Sequence, residues 1–330
     1  MTPNEKQYKS MINRIAISLL FFQVLFLFYG VVLGLLPSLT AGLTARAQTV
    51  VYELASGLMY AASFSFPVLL FCKLPLGGHS EPMRMRLRAP RGTLVYLLFG
   101  LGIINAAAYV NAYMVDVFHY SEASEEVLWN FSVTSNEEMI LLFFTLAVVP
   151  AFVEELLFRG VVLSNLLPYG RTTAIIASGM LFGLMHQNVG QIFYATAAGI
   201  VLGWIYVKTQ SIWPGVLLHF VNNFLSVLRT GISERLPQAT AAAILYALEG
   251  GILLLGLAAG VFLLLLQRDI RAGVRRTGVY ERQAPVFEEY AERAIPVRRA
   301  ARVFFTIPMI CFVAWCVVQM GLVMVLLLLV

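Results

Sequence analysis

Nine apolar stretches recur along this chain, at 15–36, 50–72, 93–115, 139–167, 172–188, 191–208, 212–228, 241–266 and 303–329. Each is long enough to cross, or nearly cross, hydrocarbon about 30 Å thick. Lipid offers no partner to an open strand edge, so segments of this kind cross as helices. The sequence therefore predicts an all-α polytopic integral membrane protein with about nine transmembrane helices. With 59% hydrophobic residues, 12% charged ones and a mean hydropathy of +0.80, the chain lies outside the range of soluble domains.

The connections carry the orientation. Lys6, Lys9 and Arg14 precede the first span, and Lys73, Arg84, Arg86, Arg88 and Arg91 follow the second. The connection 267–302 holds nine arginines, whereas 116–138 holds six acids and neither Lys nor Arg. The positive-inside rule then puts the N-terminus in the cytoplasm and, after nine spans, the C-terminus outside a plasma membrane. This bias accounts for the +5 net charge, so no nucleic-acid partner is expected. The Arg-rich loop 267–302 is amphipathic in places and suits either the anionic inner leaflet or solvent. An Ala45-Arg46-Ala47 triplet imitates a signal-peptidase site, but the apolar run before it is too long for a typical leader and reads as an uncleaved anchor. Cys72, Cys311 and Cys316 lie within or at the ends of spans, as packing residues do.

Against this apolar background, Glu154, Glu155 and Arg159 share one span, in "VPAFVEELLFRGVV". Each charge at the centre of a membrane helix costs about 2.5–3.5 kcal/mol, and the remaining embedded acids, Glu53 and Glu249, are single. Glu155 and Arg159 are four apart, stack on one helix face and can neutralise each other. Glu154 projects about 100° away and is the carboxylate left over. It suits either a polar contact between helices or a general base for water.

The spans also embed two histidines, His186 in "LFGLMHQN" and His219 in "WPGVLLHFVNN", the latter sharing a face with Asn223. Glu154 lies fourteen residues before the turn "PYGR" (168–171) and His186 fifteen after it. Antiparallel neighbours thus hold the two at nearly equal height, where they can meet. His219, only seven residues into its span, is expected nearer the cytoplasm unless residues 187–192 climb or the preceding helix tilts.

"EELLFRG" (154–160), "FGLMH" (182–186) and "HFVNN" (219–223), with the lead 199–219, resemble the three signature motifs of the CAAX-protease and bacteriocin-processing intramembrane protease family, which includes type II CAAX prenyl endopeptidases. The resemblance covers about a quarter of the chain. It implies a catalytic core at 139–228, flanked by N-terminal helices at 1–138 and C-terminal helices at 229–330, with the site open towards the cytoplasm. It further implies that Glu154 activates water with the help of His186, that His219 and Asn223 stabilise the oxyanion, and that Glu155 and Arg159 form a supporting ion pair. The expected activity is endopeptidase cleavage of a membrane-bound, conceivably lipidated, peptide or protein.

Glu, His and Asn supply the base, the oxyanion donors and the acid that peptide hydrolysis needs, and the motifs hold no Ser or Cys nucleophile. Glu154, His186 and His219 would also make a zinc set of two His and one Glu. The same residues serve water activation without metal, and no obligatory metal is expected. The alternative from another class is a non-catalytic membrane scaffold or regulator of a partner protein, which would be free to lose this set; a transporter is a weaker alternative.

Overall fold

The computed structural model describes residues 1–74, 80–87, 90, 92–117, 135–271 and 293–328, and no strand occurs among them. Most of the acidic connection 116–138 and of the Arg-rich connection 267–302, together with Arg88 and Arg91, lies outside the described residues. The described residues form ten helices: α1 Pro3–Leu39, α2 Ala45–Lys73, α3 Thr93–Val117, α4 Asn136–Tyr169, α5 Arg171–Met185, α6 Val189–Thr209, α7 Trp213–Arg235, α8 Gln238–Arg271, α9 Val297–Phe304 and α10 Ile307–Leu328.

Each of the nine expected spans falls mainly on a helix, but they are not alike. By length and apolarity six helices among the described residues can cross a membrane: α1, α2, α3, α4, α6 and α8. The pair α9 and α10, bent by 73° at the break between them, makes a seventh. The other two fall short of the sequence expectation for physical reasons. At 1.5 Å per residue the 15 residues of α5 reach only about 22 Å. In α7 the apolar pattern is interrupted by His219, Asn222, Asn223 and Arg229. Conversely, α1 starts at Pro3 rather than near residue 15. A capping box extends it into polar sequence: the Thr2 hydroxyl accepts from the Glu5 amide at 3.2 Å, and the Glu5 carboxylate accepts from the Thr2 amide at 2.8 Å.

Of these six, α4 and α6 are the most buried, each with 44% of its most apolar window buried, against 11% for α8. One apolar cluster packs α1 and α2 against α4, α5 and α10; a second joins α3, α6 and α7. Where α5 crosses α6, a Cβ on Gly199 would stand 2.9 Å from the Gly179 Cα, so only glycines permit this approach. It brings the Gly199 carbonyl within reach of Arg159 on α4. Helix α4 is itself unevenly wound. Wide π-helical turns at Phe143–Val148 and Leu156–Leu163 flank the ordinary α-turns Val149–Glu155 that hold both glutamates.

The two single acids are partnered. Glu53 accepts from the Thr145 hydroxyl at 2.9 Å, and Glu249 pairs with Arg229 at 3.3 Å and accepts from the Tyr109 hydroxyl. Between α2 and α3 an extended strap, residues 80–87, lies across the core. The Glu81 amide donates to Asn165 Oδ1 at 2.9 Å, and Met83 sits over Gly160. The carbonyls of Arg84, Met85 and Arg86 accept from the Ile212 amide, the Trp213 indole and the Ser211 hydroxyl. Non-helical backbone inside a membrane protein persists only where protein satisfies its polar groups, and the strap does so for the turn between α6 and α7.

Candidate active site

Three helices bring the polar side chains together. From α4, Glu154 and Glu155 are 4% and 0% exposed, and Arg159 is fully buried. Arg159 Nη1 donates to Glu155 Oε1 at 2.7 Å and Nη2 to the Gly199 carbonyl at 2.9 Å, with the guanidinium 4.8 Å from the centre of the Phe182 ring. The ion pair expected from the four-residue spacing is therefore present, and it has a third member. His219 Nδ1 donates to the same Glu155 oxygen at 3.2 Å. That bond fixes the ring, leaving Nε2 on the side of Glu154, 3.9 Å from its Oε2. The other oxygen, Oε1, accepts a 2.5 Å hydrogen bond from the Tyr60 hydroxyl of α2.

How His219 reaches so deep follows from where α7 begins. The Trp213 and Phe152 rings pack at 6.0 Å, Asn223 Nδ2 donates to the Leu146 carbonyl at 3.1 Å, and Val227 packs with Leu142. The first turn of α7 thus lies beside the middle of α4, under the strap, and not level with the end of α4 at Tyr169.

His186 departs from expectation. It caps the C-terminus of α5, where the chain turns through Gln187 at φ 51°, and its Nδ1 donates to the Phe182 carbonyl at 2.8 Å. No ion pair joins it to either glutamate; Phe182 stands between the histidines, its ring 4.9 Å from His186 and 5.8 Å from His219. Equal height did not suffice, because rotation about the helix turns the His186 ring back onto its own last turn. The two histidines meet instead across a small cavity lined also by Tyr194, Asn222 and Asn223, with about 40 Å³ open to the centres of water molecules. A water needs about 10–15 Å³ by that measure, so the cavity has room for a few. Its polar wall is continuous: Tyr194 donates to Asn222 Oδ1 at 2.7 Å, and Asn222 donates to Asn223 Oδ1 at 3.3 Å.

Among the described residues no three His, Cys, Asp or Glu side chains are grouped as a metal ion would require. Glu154, His186 and His219 do not converge on one point, so the zinc set does not fit this arrangement.

Residues 136–225 match the Rce1-like family of type II CAAX prenyl endopeptidases. That stretch holds all six residues read from the motifs. The chain is also 25% identical, over 134 residues, to the Bacillus subtilis (strain 168) protein named "Putative membrane peptidase YdiL". The match covers 40% of this chain and about half, 51%, of that protein. No solved structure matches the chain.

Within the Rce1-like region, sequence reasoning passed over Tyr194, Asn222 and Gly215. Asn222 could have been found as the neighbour of Asn223, but the rings and glycine carry no local signal. Tyr60 lies outside the region, on α2. Gly215 faces the buried Glu155 Oε2, which has no hydrogen-bond partner; a Cβ there would stand 2.8 Å from it. Gly215→Ala is expected to displace the carboxylate and lower stability by about 1–3 kcal/mol, as overpacking does. Thermal unfolding of the purified protein checks this against Gly30→Ala, where a Cβ meets nothing within 4 Å.

Proposed function

We propose that this protein is an intramembrane endopeptidase that cleaves a membrane-associated protein or peptide with water activated by Glu154. The observation that carries the reading is the unequal treatment of two adjacent buried carboxylates. Glu155 is neutralised by Arg159. Among the described residues no Lys or Arg pairs with Glu154, whose Oε2 faces His219. A water about 2.8 Å from both Oε2 and Nε2 would subtend roughly 90° between them, close to the angle its own bonds prefer.

In this mechanism Oε2 takes a proton from that water, and the oxygen left adds to the scissile carbonyl carbon. The carbonyl oxygen becomes an oxyanion. His219, its imidazolium form held by Glu155 at Nδ1, donates Nε2–H to it, and Asn223 adds an amide N–H. Collapse of the tetrahedral intermediate breaks the C–N bond, and the proton on Glu154 passes to the leaving nitrogen. His186 serves from the far wall of the cavity: its Nδ1–H is committed to Phe182, so Nε2 is free to accept a hydrogen bond from water or product amine.

The match of 136–225 to the Rce1-like family and the buried polar set both support hydrolysis of a peptide bond. The basic connections favour a cytoplasmic N-terminus, with the site opening to that side of the plasma membrane. Comparing membrane and secreted peptides from cells carrying wild type or Glu154→Gln tests the reading; a fragment that accumulates only with wild type identifies the substrate, and identical peptide sets overturn the proposal.

The mechanism runs without a metal, in keeping with side chains that do not converge. Purified protein is expected to contain far less than one zinc per chain and to keep its activity through prolonged exposure to a strong chelator. Near-stoichiometric zinc, lost together with activity in both His186→Ala and His219→Ala, would reverse this.

A further inference from the structure

Tyr60 is one turn of α2 away from Phe64, in a segment with no motif, yet its hydroxyl is on the glutamate proposed as base. Its ring is clamped on several sides: 4.9 Å from Phe64, 6.5 Å from Phe26 and 6.4 Å from Tyr29, with Phe22 and Phe26 continuing the stack. Tyr29 is itself hydrogen bonded to Ser56 at 2.9 Å. A ring so held has little freedom to withdraw its hydroxyl, and the 2.5 Å contact is in the range of charge-assisted O–H···O bonds.

We propose that Tyr60 is a positioning residue for Glu154: by donating to Oε1 it fixes the rotation of the carboxylate and assigns Oε2, the oxygen facing His219, to the water. The inference rests on the mechanism proposed above and adds a residue from outside the Rce1-like region. The Tyr60 proton stays on its oxygen throughout; the proton that moves comes from water to Oε2. Without the hydroxyl the carboxylate turns freely, and either oxygen, or neither, meets the water.

The test uses full-length protein in lipid nanodiscs. Its substrate is the precursor of the fragment that depends on wild type in the cell comparison, made as a purified peptide. Tyr60→Phe keeps the ring and its packing and removes only the hydroxyl. It is expected to lower kcat about 10–100-fold, the equivalent of one hydrogen bond to a charged group, with KM within about twofold. Glu154→Gln runs beside it, and the double variant is expected to be no slower than Glu154→Gln alone. Infrared difference spectra supply a readout that a purely structural role would leave unmoved: the carboxyl band assigned by subtracting the Glu154→Gln spectrum shifts in Tyr60→Phe. If Tyr60→Phe reduces the folded amount, a ring-fluorinated tyrosine at position 60 keeps both ring and hydroxyl, and its stronger donation shifts the band the opposite way. Tyr60→Phe within twofold of wild type, or an unmoved band, overturns the positioning role while Glu154 as base stands. Glu154→Gln that still cleaves overturns the base itself, and the role of Tyr60 with it.

Discussion

Glu154→Gln is expected to reduce cleavage to less than a tenth of wild type while leaving the amount of folded protein within about twofold. The amide matches the carboxylate in shape, and its oxygen can still accept from Tyr60, so packing and the α2–α4 contact persist. What disappears is the basic oxygen opposite His219 Nε2. Among the described residues no Lys or Arg pairs with Glu154, and His219 keeps Glu155 as its partner at Nδ1, so neutralising Glu154 leaves no buried cation without a carboxylate. Quantifying the released fragment against immunodetected enzyme separates the two effects. Activity above a tenth of wild type would remove Glu154 from the role of base.

Arg159→Ala is expected to act on folding first. The guanidinium holds Glu155, the Gly199 carbonyl and the face of Phe182 together, and it is fully buried. Removing it leaves a fully buried carboxylate whose remaining partner is His219, at a cost of about 3–5 kcal/mol for a broken buried pair. Folded protein should fall several-fold, and thermal unfolding should move to lower temperature. Arg159→Lys should recover only part of this, since one ammonium cannot reach both Glu155 and Gly199 in the planar geometry of the fork. Normal abundance with a pure rate defect would instead place Arg159 at the substrate.

Both predictions depend on features that differ in how legible they were. The Glu155–Arg159 pair was readable because helical spacing fixes which side chains share a face, and the helices themselves because hydrocarbon demands long apolar runs. The encounter of Glu154 with His219 rather than His186 was not. Residue counts along antiparallel helices give height but not rotation, and nothing in the sequence reveals that α7 starts beside Phe152. Tyr60 was invisible for a related reason: a tyrosine among apolar residues of a span reads as packing until a tertiary contact selects it. The expected spans failed differently: α5 stops at Met185, short of the expected end, whereas α7 is long enough but has its apolar pattern broken by His219, Asn222 and Asn223.

The strap 80–87 bears on modularity. The family match begins at residue 136, which invites treating 136–225 as a transplantable unit. Yet the turn that launches α7 has its amide, hydroxyl and indole hydrogens taken up by Arg84, Met85 and Arg86, and Asn165 inside that unit accepts from Glu81. Excised, the unit would leave these groups without their protein partners and lose the Tyr60 hydroxyl as well. Helix α2 and the strap thus brace the region that carries the motifs rather than merely adjoin it. Chimeras that exchange the N-terminal helices between relatives must carry α2 and the strap along with the motifs they serve.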